Sequence, residues 1–182
     1  MTLIKEDGSG KADANAYANV ADGDAYHEGH LYATAWTGAT VVQKTAALVM
    51  ASRLIDAEYQ FGGVKTMNTQ ALLWPRYRCV DPDRDPAIRL GRLMIWENWV
   101  PENLVPKNVV AATCELAREL LIADRTAAPA GEGLKYFNDS GKQTGYDKTD
   151  TRPVIPALVQ ALLARYGTLI KSKSGAVRLL RS

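Results

Sequence analysis

Cysteine, histidine and net charge are all scarce in this chain of 182 residues. It has two cysteines, two histidines and a formal net charge of +2. A nearly balanced charge is not typical of a strongly basic nucleic-acid-binding domain. Cys79 and Cys114 lie 35 positions apart, one beside a loop and the other in a predicted helix. We therefore expect two free thiols in a reducing compartment rather than a disulfide framework.

The sequence also lacks the motifs that mark most enzymes. It has no nucleophile elbow, no phosphate-binding loop and no dinucleotide fingerprint, and both histidines lie far upstream of the cysteines. We therefore expect a protein that is not an enzyme and needs no cofactor. The apolar runs are far shorter than a membrane span, and the chain does not begin with a signal-peptide pattern. We expect synthesis in the cytoplasm and no contact with a membrane.

His27 and His30 come nearest to a metal site. They lie three positions apart, with Asp24 and Glu28 close in sequence, but no further cysteine or histidine completes a ligand set. Ordinary helix-surface histidines are the simpler interpretation, so the sequence predicts no metal site. Asp22 and Asp24 are likewise better explained by helix capping than by acid–base chemistry.

The apolar content of 47% is enough for one sizeable core, and apolar residues recur at helical spacing in four segments. These segments predict helices over Gly23–Ala35 after an Asp22 cap, from the Thr40/Gln43 capping box to Phe61-Gly62-Gly63, after Pro106, and from Ile155-Pro156 to Gly167. The predicted fold is mainly α, a compact bundle of about four helices with a loop or β-hairpin insertion between the second and third helices and extended termini.

The domain organisation follows from the same pattern. Residues 1–15 are small and polar and predict a flexible N-terminal segment. Residues 16–168 form the predicted helical domain, and residues 64–105 form its insertion. Residues 169–182 form a basic C-terminal tail.

Aromatic residues are concentrated in the insertion, which holds Trp74, Trp96 and Trp99, three of the four tryptophans. Such a cluster serves either as a small core under a long loop or as an interface, where large aromatics are enriched. We expect Trp96 and Trp99 to lie in a contact between subunits or with a partner.

Charge is unevenly placed along the chain. Residues 1–30 carry six acidic residues against two lysines, whereas residues 165–182 carry five basic residues and no acid. Opposite charge at the two ends suggests partner contacts or head-to-tail self-association, although two solvated termini would look the same. The candidate partner or oligomer contacts are Trp74, Arg76, Trp96, Trp99, Lys171, Lys173, Arg178, Leu179, Leu180 and Arg181.

The run Trp74-Pro75-Arg76-Tyr77-Arg78 supports two interpretations. Binding of single-stranded DNA needs basic groups interleaved with aromatic rings on which bases stack, and this run has both. The alternative is that Trp74 lies in the core, Pro75 stiffens the loop and Arg76 makes a salt bridge. We favour the second interpretation of this run.

The order and spacing of several short motifs resemble a known family over residues 10–125. These motifs are Asn15-Ala16-Tyr17, the run Val20 to Tyr26, Ala47-Leu48, Ala51-Ser52-Arg53, Ile55-Asp56, Phe61-Gly62-Gly63, Thr66, Gln70-Ala71-Leu72, Trp74-Pro75-Arg76, Val105-Pro106, Ala111-Ala112 and Glu115-Leu116-Ala117. The family is that of the head-to-tail adaptors (connectors) of tailed bacteriophages, some members of which carry the label DnaT-like single-stranded DNA-binding protein.

The resemblance implies a structural virion protein at the neck of the particle. Such a subunit forms a ring, dodecameric in the family, between the portal protein and a tail or stopper protein, and packaged DNA passes through its lumen without sequence-specific binding. By the family's pattern, the basic tail would reach into the portal. The stretch from Asp81 to Trp99 looks longer than the family's insertion. The alternative function is that of a replication accessory protein that binds single-stranded DNA.

Overall fold

The computed structural model of the chain describes residues 2–83, 99–127, 134–136, 145–146 and 152–170. Within these ranges it has five helices and six short strands. The helices are α1 (Val20–Glu28), α2 (Thr34–Thr37), α3 (Val41–Glu58), α4 (Lys107–Ile122) and α5 (Ala157–Leu163). The strands are β1 (Tyr59–Phe61), β2 (Val64–Lys65), β3 (Arg76–Tyr77), β4 (Leu134–Tyr136), β5 (Gly145–Tyr146) and β6 (Gly167–Leu169).

Helix α3 begins at the predicted capping box. The backbone N–H of Gln43 donates to the Thr40 hydroxyl at 3.3 Å, and the Thr40 N–H donates to the Gln43 side chain at 2.9 Å. This reciprocal pair satisfies two of the free donors at the start of a helix. The helix ends at Glu58, before the predicted Gly-Gly break, because Tyr59 is already extended and starts a strand.

Helix α1 begins earlier and ends earlier than predicted. Its cap is Asn19, whose side chain accepts from the Asp22 N–H at 2.8 Å, while the Asp22 carboxylate accepts from the Asn19 N–H at 2.8 Å. Asp22 is thus the third residue of a capping box rather than the cap itself. The helix stops at Glu28, and the single-turn α2 follows as a separate element.

The two later helices begin directly after Pro106 and Pro156, as predicted, because proline lacks the N–H that a first helical position leaves free anyway. Helix α5 is shorter than predicted, since it ends at Leu163 and Gly167 lies in a strand. Helices α3 and α4 pack together, and α5 packs on α4. The core side chains from these helices are Leu48, Ala51, Ile55, Val109, Ala112, Leu116, Val159 and Leu163.

The strands form three antiparallel pairs, β1 with β6, β2 with β3 and β4 with β5. In the first pair, Tyr59 lies opposite Leu169 and Phe61 opposite Gly167. Burial alternates along β1, with Tyr59 and Phe61 inside and Gln60 outside, which is the period of a strand. A Cβ at Gly167 would lie 2.4 Å from the Gln60 carbonyl oxygen, so the pair closes only around glycine.

The prediction of a mainly α, four-helix bundle is therefore wrong, and the fold is mixed α/β. In the sequence, Tyr59 and Phe61 continue the apolar pattern of α3, but in the structure they belong to strand β1. Their partner, β6, lies more than a hundred positions along the chain. Local periodicity cannot predict a pairing between segments so far apart.

The N-terminal residues, for which the sequence predicts a flexible segment, are packed against the domain in the structure. The fully buried Glu6 carboxylate accepts from the N–H groups of Gly8, Gly10 and Lys11 at 2.8–3.0 Å. Gly8 and Gly10 have φ of 102° and 74°, which lets the backbone wrap around the carboxylate. The glycines that suggested mobility are instead required by a tight turn.

Candidate functional site

Trp74 lies in the core of the subunit. Its side chain is fully buried, and its ring makes edge contacts with Phe61 at 5.6 Å and Tyr166 at 5.7 Å between ring centroids. The peptide bond to Pro75 is cis. Trp74 is therefore a core residue, and its buried ring is not accessible to a partner.

Arg76 also points inward, but it makes no salt bridge among the described residues. Its guanidinium donates to four backbone carbonyls. These are Gly62 at 2.6 Å, Gly63 at 2.7 Å, Leu73 at 3.0 Å and Phe61 at 3.3 Å. Burial lowers the pKa of Arg76, with Cys79, Tyr17 and Asp56 nearby acting against that shift. Arg76 is only 8% exposed, so its charge lies inside the protein.

Tyr77 and Arg78 point outward from the next positions. Strand β3 buries Arg76 and exposes Tyr77, as alternation along a strand requires. Tyr77 is 40% exposed, and the Arg78 guanidinium lies 5.1 Å from the centre of its ring. Across the ladder, Val64 pairs with Tyr77 and Lys65 with Arg76. Directly paired residues of a ladder share one face, so Val64 lies on the exposed face with Tyr77, and Lys65 lies on the inner face with Arg76. We call Val64, Tyr77 and Arg78 the β2–β3 surface.

The charge around the β2–β3 surface is mixed. The Lys65 ammonium donates to the Gln70 carbonyl at 3.2 Å and so lies along the loop between the two strands. Asp81 and Asp83 follow a few residues after Arg78 in the sequence, and Asp83 pairs with Arg165 at 2.6 Å. Among the described residues, the β2–β3 surface has one cationic side chain, Arg78, and no extended basic stripe.

A buried polar network supports the loop from behind. The Asp56 carboxylate accepts from the Tyr17 hydroxyl and from the Leu73 N–H, the latter at 3.0 Å, and the Leu73 and Trp74 N–H groups also reach the Tyr17 oxygen. Burial raises the pKa of Asp56 to about 6, although these hydrogen bonds oppose the shift. The network joins the N-terminal segment, α3 and the loop that precedes β3.

The two histidines have different partners, and both serve the packing around α4. The His27 ring is 3% exposed, its Nε2 lies 3.2 Å from the Cys114 carbonyl oxygen, and burial lowers its pKa. His30 Nε2 lies 3.6 Å from the buried Glu115 carboxylate. A surface cavity of about 650 Å³ lies over them, but no cluster of three potential metal ligands exists in the part of the chain that is described.

The remaining predicted contacts are only partly placed. Trp99 is half-buried and pairs with Val80 in an isolated β-bridge. Trp96, Lys171, Lys173, Arg178, Leu179, Leu180 and Arg181 lie outside the described residues. Cys79 and Cys114 are free and buried. The sequence shows Tyr77 and Arg78 as suitable residue types but does not separate them from their buried neighbours. The alternation of β3 separates Tyr77 from Arg76, and the left-handed backbone of Arg78 places that residue outside the alternation.

The family model described as "Putative DnaT-like ssDNA binding protein" matches residues 1–182, and the chain belongs to that family. No curated protein and no solved structure matches the chain. None of these comparisons points to a head-to-tail adaptor. Among the described helices, none is long and apolar enough to cross a bilayer.

Proposed function

We propose that the protein binds single-stranded DNA through the β2–β3 surface. The observation that carries the proposal is the exposed Tyr77 ring with the Arg78 guanidinium over it, 5.1 Å from the ring centre. A base stacks on an aromatic face or on a guanidinium plane regardless of its identity, so such a pair extends a stack of bases without reading their sequence. The family description, which names single-stranded DNA, supports the same ligand.

The charge of the surface sets the expected strength of binding. Arg78 is its cation, and each phosphate neutralised on a single strand contributes about 0.7 to the slope of log affinity against log salt. One contact gives a slope of about −0.7, which is shallow. We therefore expect weak binding that depends as much on stacking as on charge, and little preference among sequences.

Two tyrosine variants test the proposal. Tyr77→Ala removes the stacking ring, and Tyr32→Ala removes a tyrosine that is 72% exposed on a different element. We expect Tyr77→Ala to weaken binding of a fluorescein-labelled oligo(dT) about tenfold, since a stacked base contributes about 1–3 kcal/mol. Tyr32→Ala should bind as the wild type does. The measurement is fluorescence anisotropy at low salt, with a duplex of the same length as the competing ligand.

If Tyr77→Ala and Tyr32→Ala bind oligo(dT) with equal affinity, the β2–β3 surface is not the DNA contact. Tighter binding of the duplex than of oligo(dT) would contradict the ligand class. No binding by the wild-type protein at low salt would overturn the proposal as a whole.

A second candidate function is that of a ring subunit at the head-to-tail junction of a phage particle. The observation that favours it is a set of large apolar side chains exposed on separate elements of one chain. Leu31 is 84% exposed before α2, and Val42 is 78% exposed at the start of α3. Rings use heterologous contacts, in which one face of a subunit meets a different face of its neighbour.

Quantitative mass spectrometry of purified, DNA-filled particles tests this second candidate. An adaptor would occur at a copy number close to that of the portal protein and far below that of the capsid protein. Absence from the particles would exclude it, whatever the protein's affinity for DNA.

A further inference from the structure

Arg76 belongs to the most basic and aromatic run of the chain, yet its charge does not reach the surface. All four of its hydrogen bonds end on backbone carbonyls, three of them on the consecutive residues Phe61, Gly62 and Gly63. The fourth ends on Leu73, at the far end of the loop between β2 and β3. A guanidinium is suited to this task because its donors form a rigid planar fork.

The contact joins two segments that the β-ladder itself holds weakly. Strands β2 and β3 share only two residue pairs, Val64 with Tyr77 and Lys65 with Arg76. A two-stranded ladder of that length is not stable on its own in water. The carbonyls that Arg76 binds lie at the end of β1 and in the turn that leads into β2, so the side chain fixes β3 against its partner strand.

Backbone geometry at Gly63 shows how closely the two segments approach. Gly63 has φ of 69°, and a Cβ at this position would lie 2.2 Å from the Tyr77 carbonyl oxygen. The backbone of the turn therefore touches the backbone of the exposed residues directly. Any displacement of the turn is passed to Tyr77 and Arg78.

We infer that Arg76 is the positioning residue of the DNA contact, holding Tyr77 and Arg78 at the surface without touching DNA itself. The inference rests on the proposed function of the β2–β3 surface. The central arginine of a basic, aromatic run would ordinarily be expected to bind a phosphate, whereas Arg76 binds backbone carbonyls. Four of the five N–H donors of its guanidinium are already bound to backbone carbonyls.

The salt dependence of binding separates positioning from phosphate contact. Arg76→Lys keeps the charge but cannot span four carbonyls, so we expect oligo(dT) affinity to fall about tenfold. Arg76→Gln also removes the charge, and we expect its salt slope to stay unchanged because Arg76 contacts no phosphate. Arg78→Gln removes the exposed cation of the surface, and its slope should be shallower by about 0.7. A slope for Arg76→Gln that is shallower by the same amount would show a direct phosphate contact and overturn the inference.

A core variant controls for simple loss of stability. Ile55→Val removes one methyl group from the fully buried Ile55 in α3, so we expect a lower melting temperature while the four hydrogen bonds of Arg76 stay in place. Measured at a temperature where all variants are folded, Ile55→Val should bind oligo(dT) as the wild type does. If Arg76→Lys also binds as the wild type does, Arg76 has no positioning role.

Amide hydrogen exchange gives a readout that does not involve DNA. In Arg76→Lys, the amides of β2 and β3 should exchange faster, while those of α3 and α4 keep their protection. Unchanged exchange in the two strands would overturn the inference even where DNA affinity has fallen. If the wild type binds no DNA but the strands loosen as expected, the proposed function fails and the structural role of Arg76 remains.

Discussion

Arg78 is the residue whose backbone most directly suggests a functional constraint. Its φ of 59° lies in the left-handed region, and it is the only non-glycine residue with a positive φ in the described part of the chain. That conformation costs an L-residue about 1–2 kcal/mol relative to glycine. Strain of this kind persists where the surroundings enforce it, and here it turns the guanidinium back over Tyr77.

Two substitutions at this position separate backbone strain from side-chain function. Arg78→Gly and Arg78→Ala both remove the guanidinium, but only glycine relieves the strain. We expect Arg78→Gly to have a free energy of unfolding about 1 kcal/mol higher than that of Arg78→Ala, measured by urea denaturation. Both should lose the same affinity for oligo(dT). Equal stabilities would mean that the positive φ carries no strain.

Asp56 makes the stability of the protein depend on pH. Its pKa is raised to about 6 in the folded chain, above the ordinary 3.8, so the folded state binds this proton more tightly than the unfolded state does. The resulting stabilisation is fully present below pH 4 and is lost as pH rises through 6. His27, whose pKa is lowered, acts in the opposite direction over part of this range.

Comparison with Asp56→Asn isolates this contribution. The variant cannot titrate at position 56, whereas His27 is the same in both proteins. We expect the difference in free energy of unfolding between wild type and variant to change by on the order of 2 kcal/mol from pH 4 to pH 7, with the wild type losing stability as pH rises. A difference that does not vary with pH would show that Asp56 titrates normally.

At the scale of elements, the ladder of β2 and β3 depends on one glycine. Gly63 has a positive φ and no space for a Cβ, whereas a Cβ at the adjacent Gly62 would meet its nearest atom at 3.6 Å, an ordinary contact. The two glycines are neighbours in sequence, but only Gly63 is required by the backbone geometry.

Alanine at each position gives a matched pair. We expect Gly63→Ala to reduce the free energy of unfolding by about 2 kcal/mol or more, through left-handed strain and collision with the Tyr77 carbonyl, and to weaken oligo(dT) binding. Gly62→Ala should stay within about 0.5 kcal/mol of the wild type. Thermal and urea denaturation measure both variants, and equal losses would show that the close approach does not matter.

The elements also show which features the sequence could predict. The capping box at Thr40 and the proline starts of α4 and α5 are local and were predicted correctly. The strands could not be predicted in the same way, because their partners are not adjacent in the sequence. Strand β1 pairs with β6, and β2 pairs with β3 across a loop. The turn around the buried Glu6 carboxylate was not predicted. A run of glycines and acidic residues indicates a mobile segment unless the hydrogen bonds that order it are known.

At the scale of the whole molecule, helix positions were largely predictable but the mixed α/β class was not. The candidate site, too, could be predicted only in part. The run around Arg76 was noted for its chemistry, and the interpretation of Trp74 as a core residue agrees with its burial. Among the described residues Arg76 binds backbone carbonyls rather than a carboxylate, and only the folded chain brings these carbonyls together.

The two proposed functions make different demands on the whole molecule. A DNA-binding accessory protein needs one surface, and we propose the β2–β3 surface for that role. A ring subunit needs two complementary faces, and exposed Leu31 and Val42 mark regions that could provide them. The family of the chain favours the first function.

The most direct test of the central claim is a salt titration of oligo(dT) binding by the wild-type protein and Tyr77→Ala, followed by fluorescence anisotropy. The account predicts measurable binding at low salt, a shallow slope of about −0.7, and a loss of about tenfold in Tyr77→Ala at every salt concentration. No wild-type binding, or a Tyr77→Ala curve that coincides with that of the wild type, would contradict it.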